Sequence, residues 1–231
     1  MTTSHSFHFT TLIEKFFNQL QQENRLVDDI YNEFSLQHEL GIFLRNDLNP
    51  KEYKVQFERN IKDDILKLSF DKEEKKIIDE NGKVIAKKEQ LIDKSGKSIV
   101  KKEIDLVILG KNGESGEKYA VELKFPRNGQ HPEQMYQFIK DIAFMEQLKQ
   151  AGFTQTYCVC LVDDKNFYLG RSQGIYAYFR SPQIPIHGNI EKPTGKEKFE
   201  EEYKPIKVKG TYHVQWQELQ GNYRYYVIAC E

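Results

Sequence analysis

Two short apolar runs in the middle of the chain carry charge where buried strands ought to carry none. Glu103-Ile104-Asp105-Leu106-Val107-Ile108-Leu109 holds Asp105, and Tyr119-Ala120-Val121-Glu122-Leu123-Lys124-Phe125 holds Glu122 and Lys124. A break rich in Gly, Asn and Ser separates them between Gly110 and Gly116, so both runs read as strands. Side chains alternate along a strand, which puts Ala120, Glu122 and Lys124 on one face and Val121, Leu123 and Phe125 on the other. A carboxylate and an ammonium buried side by side are costly unless something compensates them. With Asp105 on the neighbouring strand, two carboxylates and a lysine can converge on one point. Hard oxygen ligands suit Mg²⁺ or Mn²⁺, and a lysine beside them suits a phosphate. Two close carboxylates without metal raise each other's pKa and attract cations.

The spacing alone is not distinctive. Glu-x-Lys also occurs at Glu52-Tyr53-Lys54, Glu73-Glu74-Lys75 and Glu202-Tyr203-Lys204, in a chain that is 30% charged. What sets Glu122-Leu123-Lys124 apart is its apolar surroundings and the Asp-bearing strand upstream. A buried Glu122–Lys124 salt bridge, or a partly solvated edge strand, accounts for the same residues without any chemistry.

The elements that must position these groups are legible in outline. Thr11-Leu12-Ile13-Glu14 fits a capping box opening an amphipathic helix with Leu12, Ile13, Phe16, Phe17 and Leu20 on one side. A second helix is expected from Asn32 to Asn46, stopped by Asn49-Pro50, with Glu33 and Glu39 at the margins of its apolar stripe. Either carboxylate, leaning inward, would make a third metal ligand; a solvated surface role is the alternative. Tyr53 to Ile61 alternates as a strand with Tyr53, Val55 and Phe57 inward. The Lys-rich stretch that follows contains an internal repeat, Ile77–Glu89 recurring as Leu91–Glu103, each copy centred on an Asn-Gly or Ser-Gly turn. It reads as a β-meander over about 75–103, whose Lys101 and Lys102 are candidate phosphate contacts or simply solvated edge lysines.

After Phe125 a turn carrying Arg127 leads to a helix from Pro132 to Gln150, with Gly152 as its stop. Met135, Phe138, Ile139, Ile142, Met145 and Leu148 form its core stripe, and Gln134 in the first turn can face the site. Thr156 to Val162 is an apolar strand buried on both faces. Cys158 and Cys160 lie on it as small hydrophobes, without the second pair that a zinc site needs. Further on, Ile175 to Arg180 reads as a short strand and 181–206 as an extended loop. Thr211–Leu219 and Tyr223–Ala229 read as a hairpin around Gln220-Gly221-Asn222.

Composition narrows the class. The 231 residues, with 15 Phe and 13 Tyr, suffice for one domain with a sizeable core. A net charge of −1 provides no global basic field, so any nucleic-acid contact must be local. No run of eighteen apolar residues appears, so no membrane span is expected, and three cysteines fit a reducing cytoplasm.

The coarse order is helix, strand, strand with Asp105, strand with Glu122 and Lys124, helix, strand. In this order and in these three residues the chain resembles the PD-(D/E)xK nuclease superfamily, over about 32–162. Ile104 stands where a proline often precedes the acidic residue. The resemblance implies an α/β fold with a restriction-endonuclease-like core, a mixed sheet flanked by helices. The single domain, 1–231, would then carry the β-meander insert and a C-terminal β-hairpin extension over 163–231. It implies a metal-dependent endonuclease using Mg²⁺ or Mn²⁺ on DNA. Asp105, Glu122 and Glu39 (or Glu33) would be the metal ligands, and Lys124 would orient water, hold a phosphate oxygen or, if burial depresses its pKa, act as a base. Arg127, Lys101 and Lys102 would contact DNA, and a homodimer would let one site per chain cut both strands. The alternative from another class is a non-catalytic nucleic-acid-binding or protein-interaction module on the same scaffold.

Overall fold

The computed structural model describes residues 7–78, 83–94, 96–101, 103–111, 116–127, 129–194 and 205–231. In chain order come the helices α1 (Phe9–Gln22), α2 (Arg25–Asp28) and α3 (Glu33–Asp47), then strands β1 (Tyr53–Asn60), β2 (Asp71–Ile78), β3 (Val84–Ile92), β4 (Glu103–Gly110) and β5 (Lys118–Lys124). Helix α4 (His131–Ala151), β6 (Gln155–Val162), α5 (Tyr176–Arg180), β7 (Ile186–Ile190), β8 (Ile206–Tyr212), β9 (Gln217–Glu218) and β10 (Arg224–Cys230) follow. Six strands form one mixed sheet in the order β1-β4-β5-β6-β10-β9, while β2-β3 and β7-β8 are separate two-stranded ribbons. Only β5 and β6 run parallel; the other pairs are antiparallel. No helix among the described residues is long and apolar enough to cross a membrane.

The central strands are apolar on both faces because both faces are covered. Leu106, Ile108, Val121, Leu123, Val159 and Leu161 pack against Phe9, Ile13, Phe17, Leu36, Leu40 and Leu44 of α1 and α3. Val107, Ala120, Cys158, Cys160 and Val162 pack on the opposite side against Met135, Phe138, Ile139, Ile142 and Met145 of α4. Each such side chain removes apolar area worth about 1.5–3 kcal/mol from water, and the sheet is thereby held from two directions.

Local signals place the flanking helices. Asn32 caps α3 by accepting from the Ser35 amide at 2.8 Å, and the Ser35 hydroxyl accepts from the Asn32 amide at 3.0 Å. Pro132 sits in the first turn of α4, and Gly152, at φ 122, ends it. Helix α1 begins earlier than its Thr11–Glu14 box suggests: Phe9 is already helical and buried, and His8 precedes it without a side-chain cap. Burying Phe9 in line with Ile13, Phe16, Phe17 and Leu20 extends the helix past the polar signal.

Four expectations are corrected. The proposed meander is a hairpin of β2 and β3, whose turn residues 79–82 lie outside the described residues. Between its ends, where Leu91 and Ile92 finish β3 and Glu103 starts β4, the second repeat shows among the described residues only the isolated bridge Ile92↔Ser98, because Asp93 and Ile99 turn inward onto the domain instead of continuing a strand. Ile175–Arg180 forms helix α5 rather than a strand, since Ile175 and Phe179, one turn apart, are both buried. The stretch 181–206 supplies β7, while the charged run from Lys196 to Glu202 lies outside the described residues. The C-terminal hairpin forms around Gln220-Gly221-Asn222 but is short and not a separate extension: Gln217–Glu218 pairs with Arg224 and Tyr225, Thr211 and Tyr212 belong to β8, and β10 pairs with β6 of the main sheet along its whole length. Its Tyr226, Ile228 and Cys230 face α4 while Tyr225 faces α1, a two-sided burial that a detached hairpin cannot supply.

Because the α3 cap is a reciprocal pair, Asn32→Ala should lose about 1 kcal/mol. Urea unfolding is expected to show a lower midpoint with an unchanged slope.

Candidate active site

The charged cluster sits where two central strands part. The β4–β5 ladder ends at Leu106↔Val121, whereas β5 stays paired with β6 as far as Lys124↔Cys160. Past that point the Asp105 carboxylate turns across the gap and accepts the Leu123 amide at 2.8 Å. The Asp105 carbonyl accepts from Gln37 Nε2 of α3, also at 2.8 Å. On the β1 side the register skips the pair that would join Glu58 to Asp105, and Glu58 has φ 47, in the left-handed region. Such backbone costs on the order of 1–3 kcal/mol in a residue other than glycine and collects near functional sites.

The alternation of β5 holds: Glu122 and Lys124 share the α4 face with Ala120. The Glu122 side chain is fully buried. Its Oε1 accepts from the ammonium of Lys101 and, at 3.3 Å, from that of Lys124. Its Oε2 is buried and, among the described residues, has no hydrogen-bond partner. Lys124 also donates to Glu33 Oε1 at 3.1 Å and to the Leu123 carbonyl at 3.0 Å.

From the other side α4 contributes Asp141, which is 7% exposed. Its two oxygens lie 3.9 Å from Lys101 Nζ and 3.7 Å from Lys124 Nζ, and among the described residues its Oδ2 has no hydrogen-bond partner. Four carboxylates (Glu33, Asp105, Glu122 and Asp141) thus meet two ammoniums, leaving an excess of two negative charges when all are ionised. Burial raises the Asp141 pKa to about 6, with Asp105 and Glu33 adding to the shift and Lys124 and Lys101 opposing it. Burial alone would depress Lys124, but Asp141, Glu33 and Asp105 outweigh it and hold the ammonium above the ordinary lysine range. With no ion beside it, Lys124 is therefore held as an ammonium.

The helix carboxylate that meets Lys124 is Glu33, not Glu39. Gln37 faces Asp105, and Glu33 lies one turn before it; Glu39 lies roughly 200° round the helix. It pairs instead with Arg25 and approaches His38. Gln134 occupies the first turn of α4, half-buried, on the same side as Asp141 but about two turns away. Arg127, just past β5, pairs with Asp163 at the end of β6 and stacks 4.7 Å above the Phe125 ring. Lys101 reaches into the cluster rather than standing on an outer arm, and Lys102 lies outside the described residues.

Asp141 escaped the sequence reading, although its signal was present. It falls three residues after Phe138 and four before Met145, inside the buried stripe of α4. A carboxylate there must face a compensating charge.

Among the described residues, no group of three or more His, Cys, Asp or Glu side chains is arranged as a metal cage. The donor set nevertheless suits an oxygen-seeking divalent ion in type and charge, and Glu122 Oε2 is a buried acceptor left bare. Comparison with known proteins adds no assignment: no family model matches the chain, and neither a curated protein nor a solved structure matches it.

The Asp141 shift fixes the sign of a pH dependence. Its carboxyl holds its proton more tightly when folded, so between about pH 4 and pH 6 the folded state binds more protons and stability falls as pH rises. Removing that burden with Asp141→Asn should flatten the decline, by roughly 2 kcal/mol across the window. Thermal unfolding in EDTA from pH 4 to pH 7 measures it.

Proposed function

We propose that this protein is a divalent-metal-dependent nuclease with a core of the PD-(D/E)xK type, hydrolysing phosphodiester bonds in DNA. The observation that carries the reading is Glu122: a fully buried carboxylate with one bare oxygen, flanked by Asp105 and Lys124 at the parting of β4 and β5. The core order α3, β1, β4, β5, α4, β6, with β5 parallel to β6, supports it.

Asp105 and Glu122 would hold the ion, with Asp141 the nearest further carboxylate. Mg²⁺ or Mn²⁺ supplies a Lewis acid that polarises the phosphate and lowers the pKa of water at the site. The protein's own groups do the rest. The Leu123 amide fixes one oxygen of Asp105, and the other would serve the ion. Gln37 anchors the β4 backbone beneath it. Lys124, kept protonated by the carboxylates around it, would offer a positive charge to the developing charge on phosphate. Arg127 lies beside the ends of β5 and β6, placed to touch a neighbouring phosphate once it leaves Asp163. With one such site per chain, cleavage of both strands of a duplex would call for a homodimer.

A second reading is favoured by one observation. Lys101 and Lys124 already neutralise Glu122, as they would in a structural ion network or a non-catalytic binding module. Incubation with plasmid, linear DNA and RNA, each with Mg²⁺, Mn²⁺ or EDTA, separates the two.

For the nuclease reading, Asp105→Asn, Glu122→Gln and Lys124→Met should each lower metal-dependent cleavage by ~10² to 10³ or more while circular dichroism stays native. Glu33→Ala should cost more activity than Glu39→Ala. Full cleavage in all three of the first set, or none by the wild type with any metal, refutes the assignment.

A further inference from the structure

We propose that Lys101 is a tethered counter-cation, which holds the divalent ion's place on Glu122 and gives it up when the ion binds. This rests on the metal-dependent reading above and adds a positioning residue to that site.

The contact is lopsided in a way that a settled salt bridge is not. Two ammoniums crowd Glu122 Oε1 while Oε2, equally buried, has none. Two settled ammoniums would each take one oxygen of the carboxylate, which satisfies more of its lone pairs and better offsets desolvation. The two lysines are also unequally committed. Lys124 is built into β5, its side chain is 17% exposed, and it has Glu33 and the Leu123 carbonyl as further partners. Lys101 comes from the connector ahead of β4, its side chain is 33% exposed, and among the described residues its one further carboxylate neighbour is Asp141 at 3.9 Å. Its ammonium lies 5.9 Å over the Phe144 ring. Around it the chain is pinned at Ile99, which is buried, and open at Val100, which is 86% exposed. Lys101 therefore enters the cluster from the solvent side on a short tether and can withdraw without disturbing the sheet.

Charge supplies the driving force. The cluster carries two more negative than positive charges, and a single divalent ion on Asp105 and Glu122 balances that excess. The ion and the Lys101 ammonium then compete for Glu122, because an ion on Oε2 and the ammonium on Oε1 of one buried carboxylate repel each other. Ion binding is weakened by the inverse of the fraction of molecules in which Lys101 is disengaged. The lysine keeps its proton throughout and only changes partner.

The test is calorimetric titration of Mn²⁺ into the wild type, Lys101→Met, Lys101→Arg and Glu122→Gln, with folding checked by circular dichroism. Lys101→Met is expected to bind at least about tenfold more tightly than wild type, the gain for a lysine engaged ~90% of the time. Lys101→Arg, which keeps the charge, should stay near wild type, and Glu122→Gln should bind poorly. Equal affinity in wild type and Lys101→Met, with Glu122→Gln impaired, overturns the counter-cation while leaving the metal site standing. No Mn²⁺ binding by any variant overturns both. The wild type alone gives an independent readout should Lys101→Met fold badly. The side-chain ammonium signal of Lys101, assigned by its loss in Lys101→Arg, should be protected from exchange without metal and exposed on Mg²⁺ addition. A signal unchanged at saturating Mg²⁺ refutes the proposal.

Discussion

A carboxylate wholly removed from water in the middle of a sheet is the constraint around which this fold is arranged. Glu122 cannot keep its charge there without cations, since the effective penalty for a buried ion is several kcal/mol. Lys124 reaches it from two residues along the same strand and Lys101 from the connector before β4. Room for them exists because β4 leaves β5 after Leu106, and the amide thus freed at Leu123 is taken by Asp105. Strand separation, the turn of Asp105 and the two lysines form one solution to one electrostatic problem. The unpaired Glu122 Oε2 shows that the solution is incomplete within the described residues, and incompleteness of that kind is expected where a ligand finishes the job.

What could be read from the sequence followed the range of the interaction that decides it. The facing of Glu122 and Lys124 depends only on the two-residue repeat of a strand, and the structure keeps it. The limits of α3 and α4 depend on Asn32, Pro132 and Gly152, each a local signal, and those limits hold to within a residue or two. The choice between Glu33 and Glu39 depends on how α3 is rotated against the sheet, which its stripe of Leu36, Leu40 and Leu44 settles only once the sheet is there. β10 looked like half of a hairpin because its near neighbour in sequence is β9, yet the pairing that buries it is with β6, more than sixty residues upstream. Lys101 had no pattern to betray it: a long flexible side chain in an irregular connector can reach several places, and only the position of the buried acid selects one.

Helix α4 ties the rest of the molecule to this cluster. Beyond Asp141, its buried Glu146 accepts the Lys209 and Gly210 amides and the Tyr212 hydroxyl of β8, and the adjacent Gln147 donates to Asp93 beyond β3. Gly210 is required at that joint, since a Cβ there would lie 2.3 Å from the Tyr212 hydroxyl oxygen. Both ribbons therefore hang from consecutive residues of the helix that also carries a charge of the site. Displacement of either ribbon bears on the position of Asp141 through one rigid element.

The three thiols have a use that their inertness creates. Cys158, Cys160 and Cys230 are unbridged and buried on the α4 side of the sheet, and burial pushes the first two well above the ordinary thiol range. A native molecule thus presents no reactive sulfur to an alkylating reagent, because attack needs both access and thiolate. Labelling can proceed only through opening of β6 and β10, so its rate is a built-in clock for the breathing of the sheet centre. No probe need be engineered to follow how tightly a ligand closes that centre.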